Sequence, residues 1–171
     1  MFSTRRAESN DLAAVFSVFQ KAREKMQQAG IEQWTLTYPN YEILAADIKT
    51  GSMFVIQNEA KQIAGFVVLD NKSSAEYHQQ PWQENKSVLF IHRVVVSPDF
   101  QGQGVATQLI QHCEAIARTQ KIKAIHSSTH FRNIPMQYVF LKNDYSQVSA
   151  FIMQDRPNIG EFFAYEKLID Y

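Results

Sequence analysis

The sequence predicts an α/β (α+β) fold, and three observations carry that prediction. Short apolar or alternating segments of strand length are interspersed with longer segments whose apolar residues recur at helical spacing. The two kinds follow in the order β-α-α-β-β-β-α-β-α-β-β. With 171 residues, 45% of them hydrophobic, the chain suffices for one well-buried core and is short for two, so one domain over residues 1–171 is expected. No linker, internal repeat or low-complexity tract suggests a boundary.

Taken in order, residues 2–7 read as a first strand. A helix follows, capped by Ser9 or Asn10, with Leu12, Val15, Phe16, Phe19 and Met26 on one face and Gly30 as its stop. Residues 31–39 form a loop rich in aromatics, and a second helix covers roughly 41–49, ending near Gly51. Met53–Gln57 and Gln62–Leu69 flank the polar Asn58-Glu59-Ala60-Lys61, which predicts a hairpin. Residues 70–86 are polar and read as loop, and a long strand runs from Ser87 to Val96. The next helix aligns Ala106, Leu109, Ile110, Cys113, Ile116 and Ala117 in one stripe. Ala124–Thr129 is a fifth strand, Pro135–Asn143 a fourth helix with proline tolerated in its first turn, and Tyr145–Met153 and Glu161–Ile169 are the closing strands.

Composition narrows the function. Seventeen basic and seventeen acidic side chains balance, so neither a nucleic-acid backbone nor an anionic membrane is the expected partner, although a local patch is compatible with that sum. Cys113 is the only cysteine, which excludes an intramolecular disulfide and a multi-cysteine metal site; on the apolar helix face it reads as an inert core thiol. No apolar run reaches membrane-spanning length, and the N-terminus lacks the apolar stretch of a secretory signal, so a cytoplasmic location is expected.

The most specific chemistry lies where the strand Val94-Val95-Val96 gives way through Ser97-Pro98-Asp99-Phe100 to Gln101-Gly102-Gln103-Gly104-Val105-Ala106-Thr107 and then a helix. Glycines let backbone approach a ligand closely, and the unpaired N–H groups of a first helical turn favour a phosphate. The plainer alternative is a tight strand-to-helix turn. Two nucleotide motifs do not fit. A triphosphate-binding loop needs Lys and then Ser or Thr after its last glycine, where Val105-Ala106 stands. A dinucleotide fingerprint needs a small residue at Thr107 and an acidic one about twenty positions on, where the chain reads Ile125-His126-Ser127.

Gln101-x-x-Gly104-x-Ala106 resembles the acyl-CoA pyrophosphate signature of the GNAT (GCN5-related) N-acetyltransferase superfamily, Arg/Gln-x-x-Gly-x-Gly/Ala. The flanks agree: a β-branched strand and Ser-Pro-Asp before it, and after it a helix, a strand and Asn133-Ile134-Pro135-Met136-Gln137 in the place of the family's second motif. The resemblance covers roughly residues 3 to 169 and is to the small bacterial type. It implies a mixed central sheet of six to seven strands flanked by about four helices, with strands four and five splayed to admit the pantetheine arm. It implies acetyl-CoA as acyl donor and no metal. The arm would pair with the backbone of Val94 and Val96. The N–H groups from Gln101 through Gly102, Gln103, Gly104, Val105 and Ala106 to Thr107 would hold the pyrophosphate, with Asn133 near the pantetheine or the thioester end.

The resemblance also implies direct acetyl transfer to a primary amine, on a small molecule before a protein or peptide. An ammonium has no lone pair, so a base is required. His92 is the candidate, two residues before Val94 and so on its face of a regular strand; some family members acting on small amines carry a histidine there, and an imidazole relays a proton at little cost. A structural histidine with a satisfied ring is the alternative. Phe90 stands where histone-type relatives place a glutamate base. His126, Ser128 and His130 are weaker candidates. The Val94 N–H would stabilise the oxyanion.

The tyrosine that many relatives use to protonate the sulfur falls, by count from Asn133, at Phe140; Tyr145 or water would substitute, because thiolates leave readily. Asp144-Tyr145 replaces the usual Gly-Phe, and Asp tolerates a left-handed backbone. Trp34, Tyr38 and Trp82, with Tyr41 and Tyr77, border the acceptor side in such relatives, where aromatic faces receive a cationic amine; core packing explains them too. Glu32 and Glu84 are further cation attractors. Phe140 leaves a second reading open, a catalytically silent acyl-CoA-binding sensor or interaction domain. The assembly is a monomer or homodimer.

Overall fold

The apolar segments assemble into one seven-stranded sheet. A computed structural model describes residues 1–170 of the chain. The strands are β1 (Ser3–Arg6), β2 (Met53–Gln57), β3 (Ile63–Asp70), β4 (Val88–Val96), β5 (Ala124–His130), β6 (Ser146–Ile152) and β7 (Glu161–Leu168); the helices are α1 (Leu12–Gln28), α2 (Tyr41–Lys49), α3 (Ala75–His78), α4 (Val105–Thr119) and α5 (Ile134–Lys142). The sheet order is β1-β2-β3-β4-β5-β7-β6. Neighbours are antiparallel except β4 and β5, whose parallel pairing requires the crossover that α4 supplies.

Helices cover both faces. Trp34 and residues of α1 and α2 pack on one side with Val55, Phe66 and Val95; residues of α4 and α5 pack on the other with Leu89, Ile91, Ile125 and Tyr165. Covered on both sides, β2 and most of β3 are buried, which is why they read as apolar runs. Cys113 is fully buried in α4, and burial pushes its thiol far up, into the inert state expected.

Three details differ from the sequence reading. The 70–86 stretch contains the one-turn helix α3, making five helices. The first long helix begins one turn later than its expected cap, after a 3₁₀ turn at Ser9–Asp11. The Asp11 carboxylate accepts from the Glu8 N–H and from both outer nitrogens of Arg5, so a long-side-chain partner on β1, absent from any local signal, selects the start. Other ends shift by a residue or two.

The third difference shapes the site. Ile91 and Val95 are four residues apart and would share a face of a regular strand, yet Ile91 packs on the α4/α5 side and Val95 on the α1/α2 side. The register explains it: Phe66 faces Val95 and Val68 faces His92, so Val67 alone opposes both Arg93 and Val94. Arg93 is the bulged residue, with φ of +45°. Consequently Val94 and Val96 turn to the α4/α5 side, and His92 does not share the face of Val94 as a regular strand would require.

Beside the bulge, Gly65 of β3 pairs with Val96, and a Cβ there would collide with the Val95 carbonyl oxygen. Both partners are backbone in the middle of the sheet, so relief requires the strands to separate. Gly65→Ala is expected to destabilise the fold by about 3 kcal/mol or more, read as a lowered midpoint in denaturant at constant slope.

Candidate active site

The parallel pairing of β4 with β5 lasts for three residues only, Val88–Phe90 against Ala124–His126. The Ser127 hydroxyl then donates to the Ile91 carbonyl (2.9 Å), and beyond that link the strands part. Each keeps its outer neighbour, β3 for β4 and β7 for β5, so the parting opens a fork inside the sheet. On the β5 arm, the Gln33 side-chain carbonyl accepts from the Thr129 hydroxyl, the His130 N–H and the Asn133 amide, occupying donors that would otherwise face the gap. On the β4 arm, Val94, Val95 and Val96 line a cleft of about 320 Å³ whose other walls come from α1, Trp34 and the start of α5.

At the outer end of this cleft lies the glycine turn. Gly102 and Gly104 have φ of +75° and +77°, and a Cβ at either would project into open space. Gly104 is the N-cap residue of α4 and offers no capping side chain, whereas Asn40 caps α2 and Asn133 caps α5 through side-chain oxygens. The first-turn amides of α4 therefore stay available at its positive end, with no acidic residue in that turn. Gln101 and Ala106 line the cleft, and Lys25 of α1 donates to the Gln101 side chain (2.6 Å), bringing a cation to its edge. Nothing local in the sequence marked Lys25; helix packing places it.

At the inner end of the fork, a small cavity of about 60 Å³ lies among Trp34, Tyr38, Tyr77, His92, Ser128 and Arg156. It shares Tyr38, Tyr77, His92, Arg93 and Arg156 with a larger polar pocket of about 610 Å³ bordered by α2, the β3–α3 loop and residues 153–156. Trp34 lines both the small cavity and the apolar cleft. A narrow apolar cleft with uncapped helix amides at its mouth thus meets a polar pocket at the fork.

That architecture has known counterparts. The family model described as the acetyltransferase (GNAT) family matches residues 16–145. The chain belongs to the GNAT acetyltransferase family. Among solved structures, a GNAT-family acetyltransferase from Streptococcus agalactiae 2603 superposes with a TM-score of 0.86 at 22% identity, covering 99% of this chain and 96% of that one. A GNAT-family acetyltransferase from Listeria monocytogenes 4b F2365 gives 0.75 at 17%, over 98% and 95%. A ribosomal-protein-alanine N-acetyltransferase from Brucella melitensis gives 0.76 at 15%, over 98% and 99%. Identities this low establish the shared fold. Among curated proteins none matches.

Within this GNAT fold, His92 faces the polar pocket. Its Nε2 lies 3.0 Å from both Asp70 Oδ1 and the Lys72 carbonyl oxygen. Two acceptors at one nitrogen fix the proton there and leave Nδ1 as the basic atom. Burial alone would push the Asp70 carboxyl up, but the hydrogen bond and charge interaction with His92 outweigh it and hold it below the usual carboxylate range. Asp70 ends β3 opposite Phe90 of β4, a pairing across the long connection between them that no local signal in the sequence marked. Arg93 forms a two-pronged pair with Asp47 of α2 (both 2.8 Å) and donates to the Tyr38 hydroxyl (3.1 Å). Burial pushes Asp47 up against the pull of that pair.

The remaining sequence candidates are distributed as follows. Tyr77 and Ser128 share a hydroxyl–hydroxyl hydrogen bond of 2.6 Å at the fork, and burial pushes the Tyr77 phenol up to about 12, so it stays neutral. Trp34 is buried against Phe19, and the Tyr38 ring is covered by the Arg156 guanidinium at 4.3 Å. Trp82 stands away from both, stacked at 3.8 Å on His126. His126 is buried, bonded to Glu166 (2.8 Å), and pushed down by desolvation; His130 bonds to the Ile159 carbonyl and the Arg132 N–H. Tyr41 packs edge-on against Phe16. Glu84, half-buried, accepts from the Lys86 and Ser87 N–H groups, which lower its carboxyl.

The position on α5 where the resemblance locates the family's acid offers no donor to the cleft. Phe140 is buried, stacked on Tyr165 at 4.8 Å, and the α5 residues that line the cleft are Pro135, Met136 and Val139. Tyr145 is buried in the α4/α5 core, its phenol pushed well up by burial and the nearby Glu114, and it does not line the cleft. Asp144 does adopt the left-handed backbone, with φ of +65°, and the Tyr145 N–H closes the helix end onto the Phe140 carbonyl. No group of three or more His, Cys, Asp or Glu poised to hold a metal occurs among the described residues, and no described helix is long and apolar enough to cross a membrane.

Proposed function

We propose that residues 1–171 form one N-acetyltransferase domain that moves an acetyl group directly from acetyl-CoA to a primary amine, on a small molecule in the first instance. The observation that carries this reading is the meeting, at the β4–β5 fork, of an apolar cleft ending in uncapped helix amides with a polar pocket holding an oriented histidine. The diphosphate would rest on the N–H groups from Gln101 to Thr107, with Lys25 adding charge. The pantetheine arm would run along Val94 and Val96, past Asn133. The thioester would then lie near the fork, with the Val94 N–H aimed at the developing oxyanion.

The neutral amine nitrogen attacks the thioester carbonyl, a C–N bond forms and the C–S bond breaks. The proton lost from nitrogen passes to His92 Nδ1, directly or through one water, while Asp70 holds the ring and its Nε2–H in place. The thiolate leaves and takes its proton from water, since α5 presents no donor and a thiol of ordinary pKa about 8.5 is a competent leaving group. Charge balance and cleft geometry favour no nucleic-acid or membrane partner, and no metal takes part. The expected location is with acetyl-CoA in the cytoplasm.

Calorimetric titration with acetyl-CoA and release of free thiol across a broad panel of primary amines test the reading. Binding together with amine-dependent thiol release is expected. Binding without release from any amine would support the silent acyl-CoA-binding alternative, and no binding of any acyl-CoA by the folded protein would remove the proposal.

A further inference from the structure

The polar pocket contains four carboxylates and two arginines close to the fork, but they are not equally engaged. Asp47 is taken by Arg93, Asp70 by His92, and Glu76 accepts the Gln154 N–H (2.7 Å). Asp155 is largely exposed. Arg156 is the exception among the cations. Its side chain is only 11% exposed, yet of its five N–H donors one is used, from Nη1 to the Gln33 carbonyl (3.0 Å). Its Nε is buried without a hydrogen-bond partner, 3.4 Å from Asp155 but misaligned with it, and Nη2 has no partner among the described residues.

A guanidinium this far buried, with Nε unpartnered and Nη2 open to the pocket, is costly unless something fills it. The Tyr38 ring covers it at 4.3 Å and the Phe162 ring lies 5.5 Å away. Arg156 and His92 both line the small cavity at the fork and the larger pocket, so one occupant can reach both. The planar fork of arginine matches a carboxylate, which accepts two parallel hydrogen bonds.

We propose that Arg156 binds a carboxylate of the acceptor, so that the amine acetylated here belongs to an amino-acid-like zwitterion with its amine turned toward His92 and the thioester. This rests on the acetyltransferase reading above and names its substrate class. The reaction is then amino acid plus acetyl-CoA giving N-acetyl amino acid plus CoA thiol. The C–N bond replaces the C–S bond, the amine proton leaves through His92, and the carboxylate is unchanged.

The test compares acids with matched amides. The twenty L-α-amino acids, β-alanine and 4-aminobutyrate are each assayed beside their amides with acetyl-CoA and the full chain, reading thiol release as kcat/KM. At least one acid should exceed its amide by about 100-fold or more, because the amide cannot accept the paired hydrogen bonds that the open side of the Arg156 fork offers. In Arg156→Gln that ratio should fall to within about threefold, with thermal melting reporting that the variant folds; the wild-type comparison stands without any variant. Release from amides with no acid ahead of its amide by tenfold overturns the carboxylate site and leaves the acetyltransferase reading intact. A preference that persists in Arg156→Gln overturns the role of Arg156. If no compound releases thiol while other primary amines of the broader panel do, the carboxylate site is overturned and the acetyltransferase reading stands; if no amine of either panel releases thiol, the acetyltransferase reading fails. Saturation-transfer NMR of the same acids on the CoA-loaded protein then decides the site: signals that vanish in Arg156→Gln support it, and no signals overturn it.

Discussion

Replacing Gly104 by valine should weaken acetyl-CoA binding by roughly 100-fold or more in a protein that still folds. Two effects act together. The backbone there sits at φ of +77°, a conformation that a β-branched residue adopts only at a cost of about 1–3 kcal/mol, so the turn that aims the α4 amides is pushed toward another shape. The new side chain would also project into the open space over those amides, where the diphosphate is placed. Calorimetry with acetyl-CoA reads the affinity, and circular dichroism with thermal melting reads the fold. Gly51→Val supplies the matched control: its φ of +73° carries the same backbone strain at the end of α2, outside the residues lining the cleft. Unchanged affinity in folded Gly104→Val, or an equal loss in Gly51→Val, would take the diphosphate away from this turn.

Much of this architecture follows from local pattern because burial is strongly periodic. Met53–Gln57 is covered on both faces and has no polar interruption, so its ends coincide with the apolar run. The stripe of α4 is legible for the same reason: Leu109, Ile110, Cys113 and Ala117 all reach the core. The α3 turn was not legible, because its four residues owe their place to tertiary contacts such as Tyr77 against Ser128 and Trp82. Ser9, Asn10 and Asp11 are near-equivalent as caps, and Arg5, six residues before Asp11, breaks the tie.

The site divides in the same way. The turn proposed to hold the diphosphate is encoded in adjacent residues, and glycines at Gly102 and Gly104 announce their positive φ. The pocket proposed for the acceptor is assembled from distant segments. Nothing in His92-Arg93-Val94-Val95-Val96 announces a bulge, since bulged residues of positive φ are commonly glycine; Arg93 holds that conformation because Asp47 and Tyr38, remote in sequence, secure its guanidinium. The sequence leaves the aromatic cluster open to two readings, faces for a cation or core packing. Arg156, 118 positions after Tyr38, covers one of those faces, and His126 covers Trp82.

The bulge gives the second large prediction its logic. In a regular strand His92 would share the face of Val94; the extra residue turns the imidazole toward the polar pocket while Val94 and Val96 stay along the cleft. If the proton of the attacking amine passes through that imidazole, His92→Ala should lower kcat by roughly 10²- to 10⁴-fold at neutral pH, leave acetyl-CoA affinity within a few-fold of wild type, and alter the shape of the pH–rate profile, because the group gating proton transfer is gone. Asp70→Asn separates positioning from packing. It keeps an acceptor for Nε2–H but removes the charge, so a smaller loss of about 10-fold in kcat with little change in KM is expected, again with an altered profile. A kcat and profile unaffected by His92→Ala, with amine turnover intact, would return His92 to the role of a structural histidine with a satisfied ring and leave deprotonation of the amine to solvent.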